Sequence, residues 1–138
     1  KTQVLHTIFS SIEVIAGLHH ELLDKLTKAK ANFPKIKIGE VLAGSVSSMQ
    51  VYTQFVNNFS ASLSTLHAER ERSKAFNQFL ISCEESNPFP LVALLSFPLN
   101  RIPHYRGIVT SILKSTPRNG SDYIRLVKVS EDLSNLQE

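Results

Sequence analysis

The sequence predicts an all-α fold, an elongated helical bundle, on three observations. Large apolar residues recur in steps of three and four along most of the chain, the spacing of a helix buried on one side. No run alternates apolar and polar residues as a half-buried strand does, and no hairpin dipeptide joins two such runs. No segment repeats at a fixed interval, which excludes a solenoid. Helices this long and one-sided bury their stripes against one another, so a bundle is the natural architecture.

The first helix is expected from Val4 to Leu26, with Ile8, Ile12, Ile15, Leu18, Leu22 and Leu26 on one face. Asn32-Phe33-Pro34 ends it, because proline disfavours helical backbone at the residue before it, and a short linker, Lys35 to Glu40, follows. A second long helix is expected to start near Val41 or Ser45 and run to about Arg72, with Val51, Tyr52, Phe55, Phe59, Leu63 and Leu66 on its apolar stripe. Its charged end, Glu69-Arg70-Glu71-Arg72, marks where burial stops, and Glu69 with Arg72 gives one surface pair worth about 0.2–0.5 kcal/mol. Phe76, Phe79, Leu80 and Cys83 continue the pattern in a shorter helix that Asn87-Pro88-Phe89-Pro90 terminates. Leu91 to Leu95 enter a helix that Pro98 and Pro103 must kink or restart, since each lacks a backbone donor. Tyr105, Ile108, Val109, Ile112 and Leu113 then mark another helix, and Pro117-Arg118-Asn119-Gly120 a turn. Ser121 is expected to cap the last helix, which carries Tyr123, Leu126, Val129 and Leu133.

At 138 residues, 42% of them hydrophobic, the chain has the size of one domain around one core, expected to span residues 1–138. Cys83 stands alone, so no internal disulfide forms and a cytoplasmic setting is expected; the sequons at Asn58 and Asn119 then read as chance. No apolar stretch approaches the roughly 18 residues of a membrane-spanning helix, and the first residues lack the layout of a secretion signal. The net charge of +3, from 15 basic and 12 acidic residues, is too mild and dispersed for a dedicated nucleic-acid interface. One basic cluster, Lys25, Lys28, Lys30, Lys35 and Lys37, surrounds a Phe-Pro turn; it reads first as a solvated loop and second as an accessory contact with an anionic membrane surface.

Bond-making chemistry has no candidate. His6, His19, His20, His67 and His104 are scattered, without a cysteine pair or a His-Glu-x-x-His arrangement, so no metal or other cofactor is expected. His19-His20-Glu21 comes nearest, but adjacent helical residues point about 100° apart, and His19 is expected to be a helix-surface or partly buried residue bonded locally. The glycines stand singly at 17, 39, 44, 107 and 120, so no phosphate-cradling loop is present. Cys83 lies on an apolar stripe as a small buried hydrophobe, and no serine sits in a Gly-x-Ser-x-Gly elbow.

A binding surface remains, and one block points to it: Leu94-Leu95-Ser96-Phe97-Pro98-Leu99-Asn100-Arg101-Ile102-Pro103-His104-Tyr105. It resembles the third conserved block of the Dbl-homology domain of Rho guanine nucleotide exchange factors. Pro98, Arg101, Pro103 and Tyr105 keep the family's residues, while Phe97 stands for Lys, Asn100 for Gln and His104 for a basic residue. Ile8-Phe9-Ser10-Ser11-Ile12, leading to Leu18-His19 and Leu22-Leu23, is similar to the family's second block. Ile38-Gly39-Glu40-Val41-Leu42, with Tyr52, Phe55 and Asn58, matches the next helix, and Lys114-Ser115-Thr116-Pro117, Asp122-Tyr123 and Leu126 match its ending. Four blocks in correct order are a strong likeness where any one would be weak.

The resemblance implies an exchange factor domain that binds a Rho-family small GTPase of the Rho, Rac or Cdc42 type and speeds GDP loss by displacing its switch regions. It places the GTPase contacts on Phe97, Asn100, Arg101 and His104, with Ser96 helping to choose the GTPase. The family's first helix, with its switch-contacting glutamate, precedes the point where this chain starts, and its last helix normally runs beyond Glu138. The domain is therefore expected to be N-terminally incomplete with a short last helix. An open apolar groove, and pairing of two copies through it, is the corresponding expectation. The alternative function is a helical interaction module of the same ancestry that binds a GTPase or another partner without ejecting nucleotide.

Overall fold

Eight α-helices and two 3-10 segments make up residues 2–33 and 35–136, which a computed structural model describes. Pro34, assigned above to ending the first helix, and Glu138 lie outside the described residues.

The expected first helix is in fact two. α1 (Thr2–Phe9) stops at Ser10, which takes a left-handed φ of 47°, and α2 (Ile12–Ala31) restarts after it. The steps Ile8, Ile12, Ile15 hide this break, because one left-handed residue turns the chain without disturbing the apolar spacing. Side chains of α4 (Val51–Arg72) hold it in place. Asn58 Nδ2 donates to the Thr7 carbonyl at 2.7 Å, and Ser62 Oγ donates to the Ile8 carbonyl, satisfying two acceptors that a helix end leaves open. Ser11 Oγ donates to the Val51 carbonyl at 3.3 Å and locks the restart.

The second long helix begins earlier than expected and is segmented. α3 (Ile38–Val46) passes through a 3-10 segment, Ser47–Gln50, into α4, so helix takes over the last three residues of the expected linker, 38–40. α5 (Lys74–Glu85) opens on Ser73, whose hydroxyl accepts from the Phe76 N–H at 3.2 Å. α6 (Leu91–Ser96) leads through a second 3-10 segment, Phe97–Asn100, into α7 (Arg101–Ser115), and α8 (Ser121–Asn135) ends the fold. Gly120 closes the preceding turn, its N–H donating to the Pro117 carbonyl at 3.0 Å. Gly120, not Ser121, occupies the capping position of α8; the Ser121 hydroxyl instead accepts from Lys37 Nζ at 2.8 Å.

Two apolar clusters give the bundle its length. The larger joins Ile15 and Leu22 of α2, Leu42 and Val46 of α3, Tyr52 and Phe55 of α4, Ile102 and Val109 of α7, and Leu126, Val129 and Leu133 of α8. The smaller joins Ile8, Leu66, Leu80 and Leu95. α4, about 33 Å long, serves both. Phe79 and Ile108, expected in the stripes, are exposed, and Cys83 is only half-buried. Phe79 and Ile108 each stand about 100° around the helix from a buried neighbour, Leu80 or Val109, and an outer helix buries only a narrow stripe.

The tightest seam is between α3 and α8. Gly39 N–H donates to Asp122 Oδ2 at 3.1 Å, so a carboxylate on α8 sits at the positive end of α3. A Cβ on Gly39 would fall 2.5 Å from Asp122 Oδ1 and 3.0 Å from its backbone oxygen, whereas one on Gly44 meets nothing within 4 Å. Gly39→Ala should therefore cost about 1–3 kcal/mol by forcing the seam apart. Gly44→Ala, in the same helix, should add about 0.4–1 kcal/mol. Urea unfolding of the two variants beside the parent checks both signs.

Candidate functional site

The passage from α6 to α7 follows from its two prolines. Pro98 cannot donate into a continuing α-helix, and the chain turns through Phe97–Asn100 in the tighter 3-10 form. Pro103 is the third residue of α7, where a backbone N–H would have no partner within the helix, so the ring is accommodated there. The segment presents two faces. Leu95 and Ile102 are buried and Leu99 and Tyr105 half-buried, packed on the bundle. Phe97 (51% exposed), Asn100, Arg101 and His104 are exposed.

The five residues singled out from the sequence thus form one ridge, though not an equivalent set. Ser96 is half-buried, and its hydroxyl is engaged on its own helix, donating to the Ala93 carbonyl at 2.7 Å. Phe97 meets Phe89 edge-on, with ring centres 5.2 Å apart. Asn100 occupies the capping position of α7 without a capping bond from its side chain. The Arg101 guanidinium lies 5.2 Å from the centre of the Tyr105 ring, one turn along the helix. His104 stands in the first turn of α7.

Beside the ridge is a shallow depression of about 270 Å³, bordered by Leu94, Phe97, Pro98 and Arg101 and floored by Ile15, His19 and Tyr52. His19 is partly buried on α2 as expected, but its bonds are long-range, not local. Nε2 is hydrogen-bonded to the Tyr52 hydroxyl and Nδ1 to the Tyr105 hydroxyl at 2.9 Å, linking α2, α4 and α7. The imidazole also stacks on Tyr105, with planes 11° apart. A signal for this was present, since His19 stands four residues after Ile15 and three before Leu22, on the buried face.

Neutral imidazole offers one donor and one acceptor, so one tyrosine hydroxyl donates to the ring and the other accepts from it. A protonated ring would offer two donors and deprive of its acceptor whichever tyrosine hydroxyl donates to the neutral ring. Burial pushes the His19 pKa below its ordinary value, and the Arg101 charge pushes it further. Burial raises the Tyr52 hydroxyl to about 12, the neighbouring Tyr105 adding to the rise and Arg101 opposing it. Among the described residues no three His, Cys, Asp or Glu side chains are grouped to hold a metal.

A family model described as the RhoGEF domain matches residues 1–138. The chain belongs to the RhoGEF domain family. It is 29% identical over 134 residues to Rho guanine nucleotide exchange factor 39 of Mus musculus, covering 94% of this chain and 37% of that protein. Over 139 residues it is also 29% identical to guanine exchange factor for Rac 30 of Dictyostelium discoideum, covering 99% of this chain and 8% of that one. The chain thus spans well under half the length of these curated relatives. A solved structure of the Vav1 exchange factor superposes with a TM-score of 0.87 at 21% identity, covering 99% of this chain and 38% of that one. The DH/PH domains of p115-RhoGEF superpose with the same TM-score at 22% identity, covering 99% and 42%. The elongated all-helical bundle is the fold these structures share.

The polar layer beneath the ridge of this RhoGEF domain gives it a defined pH response. Because folding lowers the His19 pKa, its contribution to stability is complete above the ordinary value of about 6.5 and is lost as pH falls from there through the folded value. Because folding raises Tyr52, stability also falls as pH rises between about 10 and about 12. Urea midpoints across pH should show both limbs, and His19→Gln, which keeps a donor and an acceptor but does not titrate, should flatten the stretch just below about pH 6.5.

Proposed function

We propose that this RhoGEF domain binds a Rho-type small GTPase through the ridge from Ser96 to His104 and promotes GDP release. The supporting observation is the outward exposure of Phe97, Asn100, Arg101 and His104 along a backbone turn fixed by two prolines. No bond chemistry is needed: a surface that binds the nucleotide-free GTPase better than the loaded one shifts the population toward release. Arg101, braced on Tyr105, supplies the fixed positive charge for an acidic or carbonyl partner in the switch loops. Phe97, with Phe89 behind it, supplies apolar contact. In this reading the domain works in the cytoplasm.

A module that binds without ejecting nucleotide is favoured by Phe97 and His104, which stand where the family usually carries basic residues. Pairing of two copies is supported by an open groove of about 500 Å³ between α1 and the start of α5, where Val4, Leu5, Ile8 and Phe76 lie beside Glu69, Arg72 and Ser73.

Release of fluorescent GDP from purified Rho, Rac and Cdc42-type GTPases separates these readings. Faster release from at least one is expected. Arg101→Ala should lower it roughly tenfold, the loss of one charge-assisted hydrogen bond, and His104→Lys should raise it. Co-purification without faster release leaves the binding module, and failure of every GTPase to bind defeats both.

A further inference from the structure

The lysine-bearing end of the bundle lies away from the ridge. α2 ends there, α3 and α8 begin there and α7 finishes there, held together by the Lys37–Ser121 and Gly39–Asp122 hydrogen bonds. At the rise of an α-helix, the last turn of α7 stands about 20 Å from the ridge at its start. Between Lys25 and Lys37 the chain carries five lysines and no acidic residue. Lys114, in the last turn of α7, and Arg118, in the turn before α8, add to the same end. Lys25 is held by Glu21 at 2.6 Å, but among the described residues no ion pair engages Lys28, Lys30, Lys35, Lys114 or Arg118. The acids nearby are few: Asp24 lies one turn back on α2, Glu40 is exposed on α3, and Asp122 is turned into the seam.

Phe33 lies at this end, in the connection between α2 and α3. It is 72% exposed, more than any other large apolar side chain among the described residues. The Lys35 N–H donates to the Asn32 carbonyl at 2.8 Å, closing a turn that carries the ring at its tip. A highly exposed aromatic ring among ammonium groups without ion pairs is matched to an anionic bilayer: the ring enters the acyl boundary while the lysines meet headgroup phosphates. A single-stranded nucleic acid would instead call for several stacking rings along a groove, and one ring stands at this tip.

We propose that this end of the bundle docks on anionic membrane, with Phe33 as the inserting side chain and Lys28, Lys30, Lys35 and Arg118 as the headgroup contacts. The inference is independent of exchange activity, since it involves none of the ridge residues. The chain contains no tryptophan, so Phe33→Trp introduces a single fluorophore at the tip. Its emission should shift to the blue with vesicles containing about 30% phosphatidylserine and stay unchanged with neutral vesicles. Phe79→Trp, on the exposed side of α5, should show no shift with either. The response should fade between about 0.1 and 0.5 M salt, as the screening length shortens. Adding Lys28→Glu, Lys30→Glu and Lys35→Glu should reduce the vesicle-bound fraction at least about fivefold. No shift at all, an equal shift with neutral vesicles or with polyuridylic acid, or a shift that survives the triple charge reversal would overturn the proposal.

Discussion

The closure of α8 over α3 is the contact on which the rest of the bundle depends. Leu126, Val129 and Leu133 of α8 are essentially inaccessible to solvent, and they complete a core that also contains Ile102 and Val109 of α7. Each such side chain contributes about 1.5–3 kcal/mol of burial, so losing the seam removes a large share of a marginal stability. The approach is close because residue 39 has no side chain, and it is oriented because Asp122 reaches the first turn of α3. The junction carries a cost: Asp122 Oδ1 is buried without a hydrogen-bond partner among the described residues. Its placement at the positive end of α3 offsets that cost. A seam that is both close and aligned sets the direction of α7, and with it the direction in which the ridge faces.

Above that seam lies a polar layer that a purely apolar core would not need. His19 joins the hydroxyls of Tyr52 and Tyr105, and the Tyr105 ring in turn carries Arg101. A surface cation is thereby connected through two aromatic rings to the centre of three helices. Hydrogen bonds inside a bundle are directional where apolar contacts are not, so this layer selects one rotation of α7 about its axis among several that would bury Ile102 and Val109 equally well. The two prolines act on the same segment from the backbone side. Pro98 denies a straight path from α6 into α7, and Pro103 is tolerated only because α7 has just begun.

Much of this was legible in the sequence, because burial and backbone chemistry leave local marks. The three-and-four stepping of apolar residues marked the core faces, and all the residues named on the last helix are buried or half-buried there. The prolines marked the broken entry to α7. Features decided by distant partners left weaker marks. Ser10 breaks a helix because Asn58 and Ser62, some fifty positions later, take up the freed carbonyls, and no local pattern reports them. The early start of α3 depends on Asp122 across the seam, and the exposure of Phe79 and Ile108 depends on how many neighbours a helix has. The ridge itself was read from a resemblance carried by Pro98, Arg101, Pro103 and Tyr105. The bridging role of His19 needed the positions of two tyrosines on other helices.

In the proposed docking, the substitutions on the ridge change the kind of contact it offers. Phe97 in the place of a lysine removes a long-range charge and adds an exposed ring, which joins Phe89 and Leu94 in an exposed apolar group beside the depression. Charged rims mainly accelerate encounter and make it sensitive to salt, whereas buried apolar contact mainly slows dissociation. Arg101 keeps one fixed charge, and its seat on Tyr105 limits the conformational freedom it must lose on binding. In the proposed docking, association is therefore steered less by the overall field and held more by burial of Phe97 around a single oriented cation. Under the same proposal, discrimination among GTPases falls on the shape of the switch loops that would meet the Phe97 ring. Ser96, with its hydroxyl turned back to Ala93, adds little apolar surface of its own.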